Sequence, residues 1–137
     1  MKLILVAVAC LLPLITNAQT MSVRCTFSDG FSTHFDSGKP SSKRTIVMKD
    51  PIVFDSLDPQ KRTGRMIGNA GVTDIQVLET ERGMHLIEFT IAGNMNITTL
   101  FTNTKDKTSI PAVHSRHVSI RDDAIPSQSV GLCKRID

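Results

Sequence analysis

Between Met84 and Phe101 the chain alternates apolar and polar residues with a period of two. Ile87, Phe89 and Ile91 fall on odd positions between Glu88 and Thr90. After Ala92-Gly93-Asn94 the odd set continues with Met95, Ile97 and Phe101, spaced by Asn96 and Thr98. Alternation over that length predicts strands with one buried face. Turn lengths then follow from keeping the buried set together. A two-residue Gly93-Asn94 turn would set Ile91 against Asn96, whereas a three-residue loop pairs Ile91 with Met95 and Phe89 with Ile97. Asn94 would take the left-handed position that such loops favour. One hairpin earlier, the loop Glu81-Arg82-Gly83 places Val77 opposite Ile87 and Ile75 opposite Phe89, with Gly83 left-handed. The stretch 73–102 thus reads as a meander whose odd face is buried.

Shorter strand patterns flank this meander. Val23, Cys25 and Phe27 alternate with polar residues, Asp29-Gly30 signals a turn, and Phe31 to Phe35 reads as the returning strand. The segment 36–43, rich in Ser, Gly, Pro and Lys, reads as a loop. Strands are expected at Thr45 to Lys49, Ile52 to Phe54, Ser109 to Ile120 and Gln128 to Arg135, while Lys61 to Gly71 carries no clear pattern. Eight or nine short antiparallel strands without a helix predict an all-β domain, either an up-and-down barrel or a β-sandwich.

The N-terminus changes the picture of compartment. Lys2, the apolar run from Leu3 to Ile15 and Thr16-Asn17-Ala18 have the layout of a signal peptide. The run is shorter than the roughly 20 residues of a membrane-spanning helix. Cleavage after Ala18 would discard Cys10 and leave a single β domain, 19–137. Cys25 and Cys133 then remain as an even pair in an exported chain, which predicts a disulfide. A meander whose first and last strands are disulfide-linked has curled until its edges meet, so the barrel is favoured over the sandwich.

Charge and composition exclude more than they assign. The formal charge of the whole chain is +3, and removing Lys2 with the leader takes it to +2. That balance gives no nucleic-acid footprint and no polybasic membrane patch. Trp and Tyr are absent, which counts against a carbohydrate-stacking site. No cofactor is expected, and no motif fixes a reaction or a ligand.

His114-Ser115-Arg116-His117 is the one dense group of reactive side chains. On a strand, His114 and Ser115 face opposite ways, and Ser115 and His117 stand about 7 Å apart, too far for a nucleophile and its base. Histidines at i and i+3 share a face on a helix but not on a strand, so a metal site fails too. Centring the preceding turn on Lys105-Asp106 would place Ile97 opposite His114 and Met95 opposite Arg116. His114 and Arg116 would then point inward, bracketed by Ile110, Ala112, Val118 and Ile120. An inward guanidinium needs a carboxylate, backbone carbonyls or an anionic ligand. In the ligand reading, Arg116 and His114 bind the head group while Ile87, Phe89, Ile97 and Phe101 hold an apolar tail. In the structural reading, Arg116 lies near the barrel rim and pairs with an acid or reaches water. Asn96-Ile97-Thr98 also fits a glycosylation acceptor, relevant only in a eukaryotic host.

The stretches Ala112-Val113-His114-Ser115-Arg116-His117, Pro126-Ser127-Gln128 and Gly131-Leu132-Cys133 resemble the C-terminal part of small exported bacterial proteins of uncharacterised function. The resemblance covers the last quarter of the chain. It implies a periplasmic or extracellular setting and carries no activity with it. Three classes stay open on sequence: a carrier of a small anionic or apolar ligand, a protein-binding inhibitor or stress module, and a hydrolase with a site assembled from distant strands.

Overall fold

The computed structural model describes residues 20–44, 48–106, 108–121 and 123–136. The expected leader, residues 1–18, and most of the strand expected at Thr45 to Lys49 lie outside the described residues. The elements are β1 (Met21–Asp36), β2 (Lys39–Arg44), β3 (Ile52–Asp58), β4 (Thr63–Gly68), β5 (Gly71–Thr80), β6 (Gly83–Phe89), β7 (Met95–Leu100), β8 (Ile110–His117), β9 (Ser119–Ile120), β10 (Asp123–Ala124) and β11 (Ser127–Arg135). β3 to β8 form an antiparallel meander, β11 adds beside β8, and β1 pairs with both β3 and β11. The result is an eight-stranded, up-and-down barrel, with β2 folded back on the outer length of β1 and β9–β10 forming a separate small hairpin.

Cys25 and Cys133 face each other directly across the β1–β11 seam and form the disulfide. The bond ties the first barrel strand to the last, where a meander must meet itself. Around it the interior packs Val23, Leu57, Val77 and Leu100, each wholly buried.

Asp29-Gly30 is not a turn. β1 runs unbroken through it for 16 residues, with a bulge between Phe27 and Asp29 where the β11 register shifts. The glycine is needed for close approach: a Cβ on Gly30 would stand 2.4 Å from the carbonyl oxygen of Gln128. The hairpin comes later, at Ser37-Gly38, where φ values of 51° and 78° suit a tight two-residue turn. The segment read as a loop therefore supplies β2. The bidentate pair of Arg44 with Asp29, at 2.8–2.9 Å, holds β2 to the bulge.

Both meander registers differ from the expected ones. Thr80 pairs with Gly83 across a two-residue turn, so Ile87 lies opposite Gln76 rather than Val77. Gly83 is again a close-approach glycine, its Cβ position 2.4 Å from the Leu100 carbonyl oxygen. The next loop spans five residues, 90–94, and pairs Ile87 with Ile97 and Phe89 with Met95. Its left-handed residue is Gly93, at φ 80°, and the Asn94 side chain instead accepts a hydrogen bond from Ser119 N at 2.9 Å.

Parity is thereby inverted. Met84, Leu86 and Glu88 of β6 point inward with Thr98 and Leu100 of β7, whereas Ile87, Phe89 and Ile97 lie on the outer face. The sequence of β6 carries apolar side chains on both parities, so alternation alone could not choose. Leu100 opposite Ala112 makes the choice, because residues directly opposite share a face.

Candidate ligand-binding site

At one end of the barrel, where β4, β6 and β8 finish and β3, β5, β7 and β11 begin, the interior opens into a cavity of about 560 Å³. One wall is polar, with Glu88, Asn96, His114 and Arg116, and the other includes Met48, Pro51, Ile52 and Met66. Cross-strand register orders the polar wall. Glu88 lies opposite Asn96, and Asn96 opposite Arg116, giving acid, amide and guanidinium on three adjacent strands. One step deeper, Leu86, Thr98, His114 and Ser129 form the next row.

The deeper row is buried. His114 is 3% exposed, its Nδ1 sits 2.7 Å from Thr98 Oγ1, and its ring lies 5.5 Å from that of Phe27. Burial, and second the neighbouring Arg116 charge, push its pKa from the ordinary 6.5 down to about 4. At neutral pH His114 is thus an uncharged imidazole shared between the core and the cavity floor.

In the outer row the Asn96 amide donates from Nδ2 to Glu88 Oε2. That bond fixes the amide orientation, since turning it over would set two acceptors against each other. Among the described residues, the buried Asn96 Oδ1 has no hydrogen-bond partner. Such an acceptor costs about 1–3 kcal/mol until something donates to it. Asn96 is therefore an interior residue, badly placed as a glycosylation acceptor.

Of the residues singled out from sequence, His114 and Arg116 are brought together on the cavity wall, on one inward face of β8. Ile87, Phe89, Ile97 and Phe101 are not brought there. Phe89 is 61% exposed, Phe101 is exposed beyond the end of β7, and Ile87 and Ile97 pair on the outer surface. The tail slot expected from them does not exist, because Leu86, Leu100 and Phe54 fill the barrel below the mouth. Among the described residues Arg116 has neither the carboxylate nor the carbonyl partner expected for it; the three ion pairs seen there join Arg44 to Asp29, Lys61 to Asp58 and Arg65 to Asp55.

Glu88 and Asn96 were missed because both were read as outward polar spacers. No single strand carries the signal: the register that sets Thr98 opposite His114 and Asn96 opposite Arg116 turns the even-numbered face of β7 inward. No group of three or more His, Cys, Asp or Glu among the described residues could hold a metal ion. A shallower cleft of about 330 Å³ lies outside β1, β2 and β11 against Phe31 and Val130, but its Arg44 is already committed to Asp29. Comparison with known protein families, with curated proteins and with solved structures returns no match.

Proposed function

We propose that this chain is an exported binding protein that holds a small ligand in the barrel mouth, with an anionic group of the ligand on Arg116. The carrying observation is the half-buried Arg116 on the wall of the 560 Å³ cavity, with no carboxylate partner among the described residues. A guanidinium so placed offers a planar fork to a carboxylate or phosphate. The volume falls within the roughly 300–1,000 Å³ usual for small-molecule sites. Export is supported by the signal-like leader and the disulfide, and no helix among the described residues is long and apolar enough to cross a membrane.

Calorimetric titration tests the reading with 4-methylpentanoate and its neutral counterpart 4-methylpentan-1-ol. The acid is expected to bind and the alcohol to bind more weakly. Arg116→Ala should cost the acid about 1.5–3 kcal/mol, the worth of a charged hydrogen bond, with the fold intact. Equal affinity for acid and alcohol, or an acid indifferent to Arg116→Ala, would sink the anionic site.

A second reading, a protein-binding module, draws on the β6–β7 hairpin. There Ile91 is fully exposed at the loop and Phe89 is 61% exposed beside it. Photo-crosslinking from position 91 in the producing cell should then yield a defined protein adduct that position 76 does not. Identical adducts from both positions would remove this reading.

A further inference from the structure

We infer that the mouth selects a zwitterionic α-amino acid with an apolar side chain, its carboxylate on Arg116 and its ammonium between Glu88 and Asn96. This rests on the reading of the mouth as a small-ligand site and specifies what that site fits. The order of groups across the strands is the first support. Acid, amide and guanidinium follow one another at the inter-strand step of about 4.8 Å, so a negative and a positive pole of one small molecule can both be matched.

Asn96 Oδ1 is the second. It is a buried acceptor without a partner among the described residues, its direction fixed by the bond from Nδ2 to Glu88. An ammonium has three donors and no acceptor, so it suits a wall on which the Glu88 carboxyl and Asn96 Oδ1 are both acceptors. A simple carboxylate has nothing to donate. It would leave Oδ1 unpaired and bring a second acidic group toward Glu88, which is itself only 7% exposed.

The remaining lining supplies the third support. Lys49 and Asp50 at the rim are of opposite sign, so the mouth carries no net excess that favours a plain anion or a plain cation. Met48, Ile52 and Met66 line it as well, and they suit an aliphatic side chain rather than a charged one.

Three probes of matched shape separate the terms in calorimetric titrations of the mature, disulfide-bonded protein: L-leucine, 4-methylpentanoate and 3-methylbutylamine. Leucine is expected to bind about tenfold or more tighter than either monopole, the loss of one charged hydrogen-bonding group. Glu88→Gln keeps an acceptor for Asn96, so the fold should stand, checked by its melting curve. That variant should weaken leucine and leave 4-methylpentanoate unchanged or improved. If 4-methylpentanoate binds wild-type protein as tightly as leucine, or Glu88→Gln leaves leucine unaffected, the zwitterion inference falls while the anionic site stands. If none of the three binds, both fall.

Discussion

The two halves of the barrel interior are built from the same strands and differ in what the inward positions carry. Far from the mouth those positions are Val23, Leu57, Val77, Met84, Leu100 and the Cys25–Cys133 disulfide, all buried and apolar. Near the mouth the same strands turn inward Glu88, Asn96, Thr98, His114 and Arg116. Burying polar groups in the second half gains little stability, and Asn96 Oδ1 shows that it is incompletely satisfied. The first half holds the barrel closed so that the second can keep unpaired groups in place. The contrast makes a direct claim: damage to the closed half should unfold the protein, and damage to the mouth should change what it does.

The largest effect is expected at the seam. The disulfide joins residues 108 apart in sequence, and loop-closure entropy puts its worth at about 5 kcal/mol. Urea unfolding with and without reductant measures it, alongside a mass two hydrogens lighter for the oxidised chain. A reduced protein as stable as the oxidised one would show that β1 and β11 hold together unaided. Removing buried bulk from the packed interior comes next. Leu86→Ala and Leu100→Ala should each cost about 2–5 kcal/mol in the same assay, as cavities in a packed interior do.

His114 sharpens the comparison, because it belongs to both halves. Its folded pKa of about 4 lies below the ordinary 6.5, so between those values the unfolded chain binds a proton that the barrel refuses. Stability from this group is therefore full above pH 6.5, falls as pH drops, and levels below about 4. The loss should come to about 3 kcal/mol. His114→Gln, which can still bond Thr98, should flatten the stability curve across that window. Asp55, held below the usual carboxylate range by hydrogen bonds from Ser22, Arg65 and Ser56, acts at lower pH and leaves the window to histidine. An unchanged pH curve in His114→Gln would mean that the imidazole is not buried neutral.

Architecture was legible in the sequence, and facing was not. Strand signals, their tight spacing and the cysteines near both ends suffice for an antiparallel barrel closed at its seam. Glycines misled the registers: Gly30 and Gly83 look like turn residues but serve where a neighbouring backbone comes too close for a Cβ. Polarity misled the facing. An interior whose outer layer is Glu88, Asn96 and Arg116 breaks the rule that polar positions face water, and Phe89 and Ile97 on the outside break its converse. His114 and Arg116 were readable because β8 alternates cleanly from Ile110, buried at Ile110, Ala112 and His114. Their partners on β6 and β7 required a register that no single strand contains.

The smallest expected effect tests the inverted parity most directly. If the odd positions of β6 were the core, Phe89→Ser would remove a large buried ring and cost at least as much as Leu86→Ala. Phe89 is 61% exposed and opposite Met95 on the outer face, so the ring has little to lose beyond that cross-strand pairing. Cross-strand pairs of that kind contribute roughly 0.2–1 kcal/mol. Phe89→Ser should thus shift the urea midpoint by a small fraction of the Leu86→Ala shift, and it should leave leucine binding at the mouth unchanged, since the side chain is not on the cavity wall. A loss comparable to that of Leu86→Ala would return Phe89 to the interior, and with it the odd-faced barrel and its apolar tail slot.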